Sequence, residues 1–206
     1  MTRRSTGLAG LDAQLGGGVP TGSVHVLLGE PMNAHELFAY HFAAGAPDGV
    51  RYLTTDRSIE DVQEGLARVG GDPKKAAIVA LPHKKEWLIP DLKPGFRYVV
   101  DDFSTMVRHK PFDELVKRLV ELREQARKAE VELLVVVTRA LLSEEQVARL
   151  QVWADGVMEL GFDRQGFGLY PYLKVTKMRG VPDSSRFLLF KETNKGLFME
   201  STRRVF

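Results

Sequence analysis

The sequence predicts an α/β fold: a mainly parallel sheet with helices on both faces and an antiparallel extension at its C-terminal end. Three observations carry this. Short apolar runs alternate with segments of helical periodicity from Val24 to Leu160, the pattern of strands joined by crossover helices. The first unit reads as strand, tight loop and helix around Gly29 to Glu36. Beyond Gly161 the pattern changes, and Leu169–Thr176, Arg186–Lys191 and Gly196–Met199 follow one another with only turns between them, which predicts antiparallel strands.

Residues Ser5 to Gly22, S-T-G-L-A-G-L-D-A-Q-L-G-G-G-V-P-T-G, form a glycine-rich lead-in. Leu8, Leu11 and Leu15 have helical spacing, so a short helix is expected to end at Gly16 to Gly18. Val24–Leu28 is the first strand and Asn33–Ala44 the first helix, with Leu37, Phe38, Tyr40 and Phe42 as its apolar face. Val50–Thr54 is a second strand, Ser58–Val69 a helix, and Ala77–Leu81 a third strand. Pro82–Gly95 carries three prolines and reads as a loop. Phe96–Asp101 is a strand ending in two acids. Phe112, Leu115, Val116, Leu119, Val120 and Leu122 mark an amphipathic helix to Ala129, whose Lys117, Arg118, Arg123, Arg127 and Lys128 read as a solvated face. Glu132–Thr138 is a buried strand, Ser143 with Glu145 and Gln146 opens another helix, and Gly156–Leu160 is one more strand. The expected organisation is one domain over 1–206, with the lead-in at 1–22, the core at 23–160 and the β extension at 161–206.

Composition narrows the function classes. At 44% apolar and 27% charged the chain has the make-up of a globular protein with a substantial core. A net charge of +2 is too small to argue for a nucleic-acid partner by itself. The absence of cysteine excludes disulfides, thiolate metal sites and a cysteine nucleophile. No apolar run approaches a membrane span, and M-T-R-R-S-T-G lacks the apolar segment of a secretory signal. The expectation is a cytoplasmic protein without a membrane partner.

A working phosphate-binding loop reads G-x-x-x-x-G-K followed by Ser or Thr, between a strand and a helix. Here Gly29 keeps the first glycine, and Glu30, Pro31 and Asn33 lie in the loop. Ala34, His35 and Glu36 stand where the second glycine, the lysine and the hydroxyl residue belong. Four segments then resemble the RecA superfamily, and most closely its RadA- and KaiC-like ATPases. The lead-in S-T-G-L-A-G-L-D-A-Q-L-G-G-G-V-P-T-G-S is similar to their opening. The G-E-P stretch lies where their P-loop lies, and Tyr98-Val99-Val100-Asp101 resembles their Walker B strand. Ala154-Asp155-Gly156-Val157-Met158-Glu159-Leu160 and Lys177-Met178-Arg179-Gly180 resemble a KaiC-type ending.

The resemblance implies roles. In such ATPases the loop N–H groups cradle the phosphates, the lysine neutralises them, and the Ser or Thr hydroxyl binds magnesium. Asp101 matches the Walker B aspartate that helps to hold the metal. Asp56 and Arg57 match a pair of acids that activates the attacking water, so one acid is shortened and the other has changed sign. Lys177 and Arg179 match a Lys and Arg that reach a neighbour's nucleotide in KaiC-like rings, which implies contact with a second copy or an active paralogue. The alternative for this pair is a charged strand edge that discourages aggregation.

The departures weigh against turnover. Ala34 adds a methyl where backbone must approach phosphate. His35 is shorter than lysine and mostly neutral at pH 7. Glu36 brings a negative charge, and two unit charges about 4 Å apart repel by roughly 4 kcal/mol near a protein surface. Asn33 and Glu36 also have the spacing of a capping box, which satisfies the helix N–H groups that a P-loop offers an anion. Glu36 is therefore expected to plug the phosphate site from within, leaving at most residual ATP and magnesium binding.

Other readings stand beside these. Asp101 and Asp102 either keep magnesium or cap the next turn. His35 is either a pH-gated phosphate contact or a helix-surface histidine. Asp56 is either a remnant base or the start of the turn into the helix at Ser58. His83-Lys84-Lys85 with Trp87, and Arg108-His109-Lys110 with Phe112, are basic clusters near aromatics; they either touch single-stranded nucleic acid or are solvated loops. The favoured expectation is a non-hydrolysing pseudo-ATPase that regulates or scaffolds through protein contacts. A second is an ATPase with an altered loop, Asp101 holding Mg–ATP and Asp56 orienting water. A third is an accessory protein that binds single-stranded DNA through Lys84, Lys85, Arg108 and Lys110.

Overall fold

A computed structural model of the chain describes residues 2–30, 35–81, 92–165, 168–182 and 186–200. Arg3–Arg4 (β1) pairs antiparallel with Val19–Pro20 (β2) and closes the lead-in into a loop. Within that loop Ala9–Gln14 forms α1, and Leu8, Leu11 and Leu15 are buried as their spacing predicts. Asp12 holds the turn before it, accepting from the Thr6 backbone at 2.7 Å and the Thr6 hydroxyl at 2.6 Å. The S-T-G…L-D pattern thus has a local structural cause.

Ser23–Gly29 (β3) is buried along its whole length. Alternation sends Val24, Val26 and Leu28 into one core and Leu27 into the other. His35–Ala44 (α2) is buried on every side from Leu37 to Ala43, rather than along one face, because the sheet, the helix that follows β4 and the last strand of the chain enclose it. Gly49–Thr54 (β4) leads to Ile59–Arg68 (α3), which opens with a capping box between Ser58 and Asp61 and buries Val62 and Leu66. Ala76–Ala80 (β5) is a partly exposed edge strand, and Phe96–Asp101 (β6) is buried.

A helix that the sequence did not predict follows at once: Phe103–Val107 (α4), N-capped by Asp102. Phe112–Ala129 (α5) buries Leu115, Leu119, Leu122 and Ala126 and stops where Glu130 turns left-handed at φ 52°. Glu132–Thr138 (β7) alternates between the two cores as β3 does. Glu144–Trp153 (α6) opens with a second capping box, Ser143 with Gln146.

Gly156–Gln165 (β8) does not end at Leu160 but runs through Gly161 into a hairpin with Gly168–Met178 (β9). Gly161 suits the strand because the Tyr172 ring lies across it; a Cβ there would sit 2.6 Å from the Tyr172 hydroxyl oxygen. Arg186–Thr193 (β10) and Gly196–Met199 (β11) complete a sheet ordered β11-β10-β9-β8-β3-β7-β6-β4-β5. The strands from β8 to β5 in that order pair in parallel, and β9, β10 and β11 are antiparallel. Among the described residues no helix is long and apolar enough to cross a membrane.

The two ends of the parallel sheet differ in chemistry. At the N-terminal end Arg97 and Glu132 face each other across β6 and β7, both fully buried. At the C-terminal end Gly29 lies opposite Thr138 and Thr54 opposite Asp101. The C-terminal ends of parallel strands are where α/β sheets place their ligand clefts.

Candidate functional site

Four elements bring polar side chains to the C-terminal end of the sheet: β3 leading into α2, β4 leading into α3, β6 leading into α4, and the end of β7. The geometry centres on Arg57, in the turn after β4. Its Nε lies 3.6 Å from Asp101 Oδ2, and its guanidinium reaches to 3.8 Å from Glu36 Oε2. Asp101 also accepts the Tyr52 hydroxyl at 2.6 Å. One guanidinium thus links the first turn of α2 to the last residue of β6.

The titration behaviour follows from this packing. Burial pushes the Asp101 carboxyl up, while the Tyr52 hydrogen bond and Arg57 pull it back down. Burial and the neighbouring Asp101 hold the Tyr52 phenol well above its ordinary range, so it remains a donor. Burial pushes Tyr40 up to about 12. For Arg57, burial opposes the charge, but Asp101, Tyr40, Glu36 and Tyr52 outweigh it and raise its pKa. Tyr52→Phe deletes a donor from a buried carboxyl and is expected to cost about 1–3 kcal/mol of stability, measured by urea unfolding.

The remaining expected residues fall as follows. Of the two acids that end β6, Asp102 is the one that caps the next turn. Asp102 accepts from the Ser104 backbone at 2.7 Å and from the Ser104 and Thr138 hydroxyls, so it caps α4 and ties it to β7. Asp101 caps nothing and faces Arg57. Asp56 lies in the bend between β4 and the Ser58 N-cap of α3, and its carboxylate accepts the Thr105 hydroxyl of α4 at 2.7 Å and the Thr55 hydroxyl at 3.1 Å. His35 is not a helix-surface histidine. It is 8% exposed and packs against Gly29, where an added Cβ would meet the His35 Cβ at 3.1 Å. Glu30 is exposed at the end of β3. Pro31, Asn33 and Ala34, and with them the capping box, lie outside the described residues, as do His83, Lys84, Lys85 and Trp87.

A family model described as a family of unknown function (DUF7125) matches residues 3–191. The chain belongs to the DUF7125 family. It is 26% identical over 234 residues to a UPF0273 protein of Aeropyrum pernix, a match that covers 96% of this chain and 93% of that one. The structure is similar to the crystal structure of the KaiC-like protein PH0186 from Pyrococcus horikoshii OT3, with a TM-score of 0.75 and 18% identity over 97% of this chain and 99% of that one. The fold is therefore the RecA/KaiC-like one that the lead-in and the K-M-R-G segment led us to expect.

In this DUF7125 chain the K-M-R-G segment makes intrachain contacts far from the cleft. Lys177 Nζ donates to the Gln151 and Val152 carbonyls at 3.2 and 2.9 Å, capping the C-terminus of α6. Arg179 donates to the Thr21 and Gly22 carbonyls at 2.8 and 3.1 Å and pairs with the Asp155 carboxylate at 3.6 Å. Asp155 also accepts from the Val24 backbone at 3.1 Å and from Arg127 at 3.2 Å. Arg127 and Arg123 therefore do more than solvate α5: Arg123 donates to the Trp153 carbonyl at 2.8 Å and stacks over the Trp153 ring. All of this lies at the N-terminal end of β3, opposite His35 and Glu36. The second basic cluster is likewise engaged. Lys110 pairs with Glu114 at 3.8 Å, and the Phe112 ring meets Phe103 and the Arg149 guanidinium rather than standing open for a base. Arg108, the C-cap residue of α4, is exposed.

Proposed function

We propose that this chain carries a RecA/KaiC-like core that does not turn over nucleotide and that it serves as a regulatory or scaffolding subunit through protein contacts. One observation carries the reading: the guanidinium of Arg57 lies between Glu36 and Asp101, at 3.8 and 3.6 Å. In the ATPases that the chain resembles, the residue in the place of Glu36 binds magnesium by its hydroxyl, and the aspartate in the place of Asp101 helps to hold it. Here a side-chain cation answers both carboxylates. Magnesium needs near-octahedral oxygen ligands, and a guanidinium between the two candidate donors does not fit that shell. Among the described residues no cluster of His, Asp or Glu side chains converges to hold a metal.

Charge supports the same reading. Arg57 answers Glu36 and Asp101, Asp56 and Asp102 add two more carboxylates in the turns after β4 and β6, and His35, packed against Gly29, stands where a lysine would meet the phosphates. A triphosphate entering this cleft meets carboxylates without the compensating lysine and metal, each close pair repelling by roughly 4 kcal/mol near a protein surface.

The test is phosphate release from Mg–ATP by the purified chain. The expected result is no rate above the buffer blank, unchanged by Asp101→Ala. Magnesium-dependent release that Asp101→Ala abolishes would overturn the reading and make the chain a slow ATPase with an altered loop.

A further inference from the structure

Among the described residues β11 lies at the edge of the sheet and pairs with β10 alone, over Gly196–Met199. Glu200 donates to the Leu189 carbonyl at 2.8 Å, which fixes the alternation along this ladder. Phe198 and Gly196 therefore bond to β10, and the Leu197 N–H turns to the outer edge of the strand. There a side chain from another layer meets it: His41 of α2, whose Nε2 accepts from it at 3.0 Å in a buried contact. Gly196 makes room for the ring, since at φ 98° it lies so close that a Cβ would collide with the same His41 nitrogen. Leu197 and Met199 are buried in the core shared with α1 and α2.

We infer that His41 is an acid-released latch on the C-terminal strand: the neutral ring holds β11 to α2, and the protonated ring lets β11 go. The argument is one of donors and acceptors. A backbone N–H only donates, so Nε2 offers its lone pair and the neutral ring carries its proton on Nδ1. A proton on Nε2 sets two donors 3.0 Å apart in a buried site and strips the Leu197 N–H of its acceptor. Burial accordingly lowers the His41 pKa, and a hydrogen bond with the Gly7 backbone opposes the shift. β11 is the element that yields, because four ladder pairs to one neighbour are all the sheet gives it.

The titratable groups on the surrounding elements are engaged elsewhere and do not hold a protonated ring in place. Arg68 of α3 pairs with Glu192 of β10 at 3.2 Å, and Glu200, just beyond β11, pairs with Lys191 at 2.6 Å. Lys195, just before β11, is exposed. Asp12 of α1 accepts from Thr6, and His25 of β3 turns to Ser23 and Phe42. Tyr52 of β4 donates to Asp101, and Arg97 of β6 faces Glu132 of β7. None of these charges contributes to the shift at His41, which burial and Gly7 set between them.

Amide hydrogen exchange of the intact chain, corrected for the intrinsic effect of pH, tests the latch at about pH 7.5 and about pH 5.5. A ring that takes its proton only when β11 is open gives at most about a tenfold loss of protection over that interval. The Leu197 amide should lose at least about threefold, and at both pH values it should be less protected than the amides of β3 and β7, because β11 opens by itself. His41→Gln keeps an acceptor for Leu197 but does not titrate, so it should abolish the pH dependence at Leu197. Equal protection of Leu197 at the two pH values, protection of Leu197 as high as that of β3, or a loss that persists in His41→Gln would overturn the inference. The wild-type chain alone decides the first two outcomes, whether or not the variant folds. The reading of the nucleotide cleft does not depend on any of them.

Discussion

Arg97→Leu is expected to cost about 3–5 kcal/mol of folding stability, the range seen when one partner of a buried ion pair is removed. Arg97 is the largest fully buried side chain of the described residues. Its Nε faces Glu132 Oε2 at 3.4 Å, its two terminal nitrogens donate to the carbonyls of Phe42 and Ser5, and its guanidinium lies 4.6 Å from the centre of the Phe42 ring. Burial pushes the Arg97 pKa down and the Glu132 pKa up, and each group is held back by the other. Removing the arginine leaves a buried carboxylate with Arg4 alone, at 3.4 Å, and deletes one tie, to the Ser5 carbonyl, between the lead-in and the core. Exposed pairs such as Arg149 with Asp113 are worth less than about 1 kcal/mol, which is why the effect concentrates here. Urea midpoints at constant slope measure it. The double variant Arg97→Leu with Glu132→Leu should recover much of the loss, since it removes the stranded charge as well.

The second large effect is a loss of stability in acid, centred on His25. This side chain is fully buried in β3, with Nε2 2.7 Å from the Ser23 hydroxyl and its ring edge-on to Phe42. Burial lowers its pKa from 6.5 to about 3; Asp155 opposes the shift, while Arg179 and Arg97 add to it. Above pH 6.5 neither the folded nor the unfolded chain holds the proton. Between 6.5 and about 3 only the unfolded chain binds it, so stability falls as the pH falls through that window. The loss is about 2 kcal/mol at pH 5 and grows toward roughly 5 kcal/mol near pH 3. His41, whose pKa burial also lowers, acts in the same direction; its Nε2 accepts from the Leu197 backbone at 3.0 Å. His25→Gln should flatten the pH dependence of the urea midpoint between pH 7 and pH 5, and an unchanged slope would assign the acid loss to other groups.

Much of the scaffold was legible because its elements end at strong punctuation. Phe96–Asp101, Phe112–Ala129, Glu132–Thr138 and Gly196–Met199 have the bounds that their patterns suggest. The helix Phe103–Val107 was not legible. Phe, Thr and Val favour strands, and the helix is held by Asp102 and by Ser104, which accepts from the Thr138 backbone at 2.9 Å, a contact made across the fold. Gly161 read as a break because its partner, the Tyr172 ring, belongs to another strand. The site was half legible. His35, Glu36 and the cation at Arg57 stand in the sequence. That Arg57 joins Glu36 to Asp101 depends on three elements meeting, which no local pattern records. Arg97 and Glu132 left one usable signal, opposite charges at the start of two apolar strands, but only the register puts them face to face.

The central claim is that Arg57 satisfies Glu36 and Asp101 in the place where a nucleotide's metal would be held. Calorimetric titration of the intact chain with Mg–ATP, at pH 6 and at pH 8, tests it most directly. No saturable heat is expected at either pH. Saturable heat at either one, with the stoichiometry of one nucleotide per chain, would show that Arg57 yields the site to Mg–ATP and would contradict it.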